Sequence, residues 1–126
     1  MAMKKILVVD DEPHVAIVLK QFMERSGYLV ISALNGKEAL SVIAQEAPDV
    51  IITDIQMPVM GGMEFCERLR SSMPELSRLI IVMTSRTDRD IRTWAERFDN
   101  IELMEKPLSL RRLLLRLNEY FAEQND

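Results

Sequence analysis

Val50-Ile51-Ile52-Thr53-Asp54 is an apolar run that ends on a carboxylate, and three more runs of the same build recur along the chain. Ile6 to Val9 leads into Asp10 and Asp11, and Leu79 to Met83 leads into Thr84. Ile101 to Met104 is followed, after Glu105, by Lys106 and Pro107. Runs this short, bounded by turn residues and separated by helical periodicity, read as buried parallel strands. The C-termini of such strands lie along one sheet edge, where open α/β proteins bind ligands. Carboxylates, a hydroxyl and an ammonium are therefore expected to converge there.

The segments between the runs carry helix signals. Pro13 suits a first helical turn, and Val15, Val18, Leu19 and Phe22 form an apolar stripe that Gly27 stops. Tyr28 to Leu34 reads as a further strand. Asn35 caps a second helix, with Glu38 in capping-box position and Ala39, Leu40, Val42 and Ile43 on its apolar side. Gly61-Gly62 opens a third, with Met63, Cys66, Leu69 and Met73 on one face and Pro74 at its end. Ser85 to Phe98 forms a fourth around Ile91, Trp94, Ala95 and Phe98, and Ser109 to Phe121 a fifth around Leu110, Leu113, Leu114, Leu117 and Phe121. Strand and helix alternate five times. That pattern predicts an α/β fold with a doubly wound five-stranded parallel sheet, order 2-1-3-4-5. The architecture is the flavodoxin-like (βα)5 three-layer sandwich, and it sets Asp10, Asp11 and Asp54 across a crevice at the switch point.

With 126 residues, the chain fits one domain spanning 1–126, large enough for its own core. A net charge of −4 argues against a general nucleic-acid or membrane-surface binder. Cys66, the only cysteine, excludes an intramolecular disulfide and fits a reducing compartment. The run after Lys4-Lys5 stops at Val9, short of the ~7–15 apolar residues of a secretory segment. No run approaches the ~18 residues of a membrane span. A soluble, cytoplasmic protein is expected.

Crowded carboxylates repel, which raises their pKa unless a cation is present. A divalent cation such as Mg2+, with its preference for oxygen ligands, would offset most of that repulsion, and Lys106 part of it. Asp10-Asp11 alone would serve equally well as favourable charges at a helix N-terminus; a third acid at another strand end points instead to a site. Asp54 is the nucleophile candidate, since a carboxylate can attack phosphorus to form an aspartyl-phosphate. The transferred oxygens then need a metal, an ammonium and hydroxyl donors, and Thr84 and Lys106 offer the last two.

Val8-Val9-Asp10-Asp11-Glu12, Asp54-Ile55-Gln56-Met57-Pro58 closed by Gly62, Thr84-Ser85 and Lys106-Pro107 occur in order along the chain. Together they resemble the receiver domain of two-component response regulators, in its chemotaxis-regulator-like form. The resemblance implies that Asp54 accepts a phosphoryl group from a phosphohistidine on a histidine kinase or a histidine phosphotransfer protein. It implies Mg2+ on Asp11, Asp54 and the main-chain carbonyl of Gln56, with Asp10 helping through water. Thr84 and Lys106 would contact the phosphoryl group, and the Lys106–Pro107 peptide would be cis. Such a domain catalyses only its own phosphorylation and dephosphorylation. Its partners would include a downstream protein target or output domain, and a homodimer through the face of helix 4, strand 5 and helix 5, with no direct nucleic-acid contact and no membrane.

Several positions depart from that family. Leu103 stands where an aromatic residue usually relays the threonine's movement, and Asp99-Asn100 where a Gly-Ala pair is common. Gly61 replaces a frequent acid. Gln56 and Arg86 hold the two positions that flank the phosphoryl site in that family, so Arg86 either tunes the lifetime of the acyl phosphate or is a solvated first-turn residue. Leu103 leaves open a receiver-like interaction module that signals without phosphorylation. A hydrolase with Asp10 as nucleophile is opposed by Glu12-Pro13-His14, which lacks that class's second aspartate and following hydroxyl. A flavin module of the same topology is opposed by the acidic first turn. His14 reads as exposed, Cys66 as a buried thiol, and Trp94 as shared between the core and a partner face. Arg89, Arg92, Arg97, Arg111, Arg112 and Arg116 read as a solvated or protein-docking face. The short Ala122–Asp126 tail fits a stand-alone chain, and equally one domain of a longer protein.

Overall fold

The computed structural model describes residues 3–74, 76, 78–85 and 89–124. Strand and helix alternate as β1 (Lys5–Val9), α1 (Pro13–Arg25), β2 (Leu29–Ala33), α2 (Gly36–Glu46), β3 (Val50–Asp54) and α3 (Gly62–Ser72). β4 (Ile80–Thr84), α4 (Arg89–Glu96), β5 (Ile101–Glu105) and α5 (Leu110–Gln124) complete the chain. All the pairings are parallel, and the sheet runs β2-β1-β3-β4-β5, the expected doubly wound order.

Side chains alternate across each strand, so the sheet builds two cores. Ile6, Val8, Ile52 and Ile81 pack under α1 and α5 against Leu19, Met23, Leu113 and Leu117. Leu7, Val9, Ile51 and Val82 face α2, α3 and α4, where Ile43, Phe65, Leu69 and Trp94 cover them. Local signals hold the helix ends. Asn35 Oδ1 accepts from Glu38 N at 2.9 Å. Gly27 takes a left-handed φ of 96° that lets Tyr28 N reach back to the Met23 carbonyl at 3.1 Å.

The structure corrects the stripes in places. Val18 is 49% exposed and Met63 38% exposed, while Met23 and Phe65 are fully buried. Helical period identifies an apolar side but not how far the next helix covers it. α4 is shorter than expected. Its start at Ser85 cannot be compared, because Arg86, Thr87 and Asp88 lie outside the described residues. At its other end, Arg97 N and Phe98 N bond to Trp94 and Ala95, three residues back, so the last turn tightens out of the α form. Trp94 is 4% exposed and belongs wholly to the core, not to a shared partner face.

Candidate functional site

β1 and β3 are adjacent with Val9 opposite Thr53, so the next residues, Asp10 and Asp54, emerge side by side at the C-terminal edge of the sheet. Asp10 N still donates to the Ala33 carbonyl at 3.0 Å, which extends the β1 ladder by one residue and holds its side chain inward. On the other flank Thr84 lies opposite Glu105, and Lys106 N donates to the Thr84 carbonyl at 2.8 Å. The Lys106–Pro107 peptide is cis.

The side chains meet as follows. Asp54, 4% exposed, is held by two backbone donors on Oδ1, Ile55 N at 2.7 Å and Gln56 N at 3.4 Å. Its Oδ2 accepts from Lys106 Nζ at 3.0 Å. Asp10, 1% exposed, accepts from Glu12 N on Oδ1 at 2.9 Å, while its buried Oδ2 finds no donor among the described residues. Asp11 is exposed. One carboxylate oxygen from each of Asp10, Asp11 and Asp54 lies within 4.8 Å of the others. Thr84 is buried at the end of β4, next to this cluster in the strand order.

Electrostatics follow from that crowding. Burial pushes the Asp10 pKa above its ordinary value, and the charges of Asp54 and Asp11 push it further, against the Glu12 hydrogen bond and the Lys106 charge. Burial works to lower the Lys106 pKa, but the hydrogen bond and charge of Asp54, with Asp10 and Glu12, outweigh it and hold the ammonium above its ordinary range. The donor set is all oxygen, contains an orphaned buried carboxylate oxygen and is short of positive charge. It fits a hard divalent cation.

Neighbouring features complete the rim. Gly62 closes the turn after β3, because a Cβ there would lie 2.4 Å from the Asp54 carbonyl oxygen. In that turn Val59 adopts a left-handed φ of 69° and is 76% exposed, a conformation costly for a β-branched residue. The Gly-Gly pair is visible in the sequence as a helix start; its close approach to Asp54 is not. Glu12, whose N–H orients Asp10, has no signal beyond its position in the acidic run. An apolar groove of about 430 Å³ opens beside Lys106, lined by Val15, Val18, Leu19, Met83, Pro107 and Leu108.

The remaining candidates fall outside the cluster. His14 is exposed, 3.3 Å from the Glu12 carboxylate. The buried Cys66 thiol is pushed up to about 12 by burial and the nearby Glu67 charge, so it stays protonated. Arg116 is committed to Glu102 through two bonds of 2.7 and 2.6 Å. Arg86 lies outside the described residues. Among the described residues, no helix is long and apolar enough to cross a membrane.

Known proteins resemble this chain in sequence and in fold. The chain is 37% identical over 114 residues to the alkaline phosphatase synthesis transcriptional regulatory protein PhoP of Bacillus subtilis, covering 90% of this chain and 47% of PhoP. It is 36% identical over 113 residues to the response regulator MprA of Mycolicibacterium vanbaalenii, covering 90% of this chain and 48% of MprA. The chain thus spans about half the length of the curated relatives it matches. Among solved structures, chemotaxis protein CheY4 of Vibrio cholerae superposes with a TM-score of 0.86 at 30% identity, over 94% of this chain and 98% of that one. Response regulator TrrA of Thermotoga maritima, solved in complex with Mg(2+)-BeF, gives 0.79 at 31% identity, over 93% and 98%. Residues 6–118 match the response regulator receiver domain, and the chain belongs to that family.

Proposed function

We propose that residues 1–126 form a phosphoacceptor receiver module of a two-component phosphorelay, in which Asp54 takes a phosphoryl group from a phosphohistidine donor and the change switches partner binding. The observation that carries this reading is the buried Asp54 carboxylate, oriented by backbone donors and paired with Lys106 at 3.0 Å beside two further aspartates. Asp10, Asp11, Asp54 and the main-chain carbonyl of Gln56 would hold Mg2+, as the orphaned Asp10 Oδ2 and the all-oxygen donor set support. When bound, the ion neutralises charge on the transferring oxygens.

The chain's own residues do the rest. The backbone N–H groups of Ile55 and Gln56 hold Oδ1 of Asp54, and Oδ2, the oxygen on Lys106, would attack phosphorus. The new O–P bond forms as the donor's N–P bond breaks, and the freed imidazole nitrogen takes up a proton. Lys106 then exchanges its contact with the carboxylate for one with a phosphoryl oxygen, and the Thr84 hydroxyl offers a further hydrogen bond. The apolar groove beside Lys106 is the surface on which a donor helix would rest. The module acts on itself rather than on an external substrate.

A histidine kinase or histidine phosphotransfer protein is the upstream partner, and a protein target or output domain the downstream one. A homodimer through α4, β5 and α5 is compatible with that output. Similarity to response regulators supports a cytoplasmic setting.

The test is phosphate incorporation from acetyl phosphate with Mg2+. Labelling is expected on the parent, lost with EDTA and lost in Asp54→Asn. Labelling that survives in Asp54→Asn would move the acceptor elsewhere. A parent that never labels would favour signalling by partner contact alone, which Leu103 at the relay position motivates.

A further inference from the structure

α3 touches the site at one end and α4 at the other. At its start, Gly62 N donates to the Ile55 carbonyl at 2.9 Å, and an added methyl group would lie 2.4 Å from the Asp54 carbonyl oxygen. The first turn therefore abuts the backbone of the phosphoacceptor with no slack. Farther along the same helix, Glu67 Oε1 accepts from Trp94 Nε1 at 3.1 Å. Arg70 Nη1 donates to the Arg97 carbonyl at 2.9 Å, and its guanidinium carbon sits 4.1 Å from the centre of the Phe98 ring. Trp94 and Phe98 pack with ring centres 5.1 Å apart.

Glu67 and Arg70 are three residues apart and so share one helix face. One supplies a charge-assisted hydrogen bond; the other adds a carbonyl contact and a cation–π contact. All of these act on the C-terminal end of α4 and the residues just beyond it. Glu67 and Arg70 lie on the same helix about 8 Å and about 12 Å down the axis from Gly62, so a displacement of the Asp54–Ile55 turn would reach them through α3. None of these contacts passes through Leu103.

We propose that Glu67 and Arg70 form a clasp that holds α4 in its unmodified position, and that phosphorylation of Asp54 is read at α4 by loosening this clasp. The inference rests on the phosphoacceptor reading of Asp54. Lys106 bonds directly to the Asp54 carboxylate alongside the clasp, and this is the contact that phosphorylation would exchange for one with a phosphoryl oxygen.

Trp94 is the only tryptophan in the chain, so its emission reports the clasp. The full chain is treated with sub-saturating acetyl phosphate and Mg2+, and Trp94 emission and phosphate on Asp54 are followed together. Emission is expected to change as the parent is modified and to stay constant in Asp54→Asn. In Glu67→Ala and Arg70→Ala that change, taken per modified chain, shrinks about fivefold. Glu67→Gln keeps a carbonyl acceptor for the indole and retains most of the parental change, which separates the clasp from general loosening of the core. A modified parent with silent Trp94 overturns the clasp. So does an undiminished response per modified chain in the alanine variants. A parent that takes no phosphate overturns the phosphoacceptor reading itself and this inference with it.

Discussion

The two ends of the sheet handle charge in opposite ways. Where the strands begin, Asp49 Oδ2 accepts from Lys5 N at 2.8 Å while Asp49 N donates to the Lys5 carbonyl at 2.7 Å. Lys5 Nζ lies 3.2 Å from Glu46. Arg78 donates to the carbonyls of Ala47 and Pro48 and stands 3.8 Å from Asp49, and Asn100 Nδ2 donates to the Arg78 carbonyl at 2.7 Å. Lys5, Asp49 and Arg78 there each meet an opposite charge or a backbone partner. Where the strands end, three carboxylates crowd one ammonium and Asp10 Oδ2 is left without a donor among the described residues. Stability is gathered at one end and withheld at the other, as expected where a site awaits its ligand.

Mg2+ sharpens this contrast most. At about 100 times its dissociation constant it is expected to raise the unfolding free energy by about 2.7 kcal/mol. Urea denaturation with Mg2+ and with EDTA reads the gain, and superimposable curves would mean that the acidic end does not bind the ion.

Arg78→Ala breaks the opposite end. Losing charge-assisted bonds to the Ala47 and Pro48 carbonyls is expected to cost about 2 kcal/mol in the same denaturation assay, with phosphate uptake at Asp54 unchanged. A variant that keeps its stability but loses phosphate uptake would show that the two ends are not separable.

Asp10→Asn relieves the crowding directly. The amide keeps its acceptor for Glu12 N, so a gain of about 1 kcal/mol is expected near neutral pH. The sign follows from the raised pKa: the folded state holds the Asp10 proton more tightly than the unfolded chain does. Parental stability therefore falls as pH rises from the ordinary value of 3.8 through the folded one. The advantage of Asp10→Asn is thus absent in acid and full above that window, and an equal advantage at both pH extremes would refute the crowding.

Val59→Gly is the smallest step. Relief of the left-handed strain, less the entropy a glycine adds to the unfolded chain, leaves a gain of about 0.5 kcal/mol. A thermal melt that moves downward would show that the valine side chain, not its backbone, matters to the rim.

Much of the fold can be read from local signals. Strand polarity alone puts Asp10, Asp54, Thr84 and Lys106 on one edge, and Asn35, Gly27 and Pro13 mark helix ends through chemistry confined to a few neighbours. Val18, Met63 and Trp94 are harder. Each sits at the margin of an apolar stripe, and its exposure depends on the width of the adjoining helix. Asn100 shows the same limit: its departure from the usual connection is plain in the sequence, yet its bond to the Arg78 carbonyl is not.

The amino-acid sequence by itself determined the number, order and direction of the elements, because hydrophobic period and turn chemistry act over a few residues. Tertiary structure alone decided which charges meet. Lys106 reaches Asp54 across 52 positions of chain, Trp94 reaches Glu67 across 27, and Asp10 Oδ2 stays without a donor among the described residues. Such pairings depend on distances of a few ångströms between segments remote in sequence, and only the packed sheet and its helices set those distances.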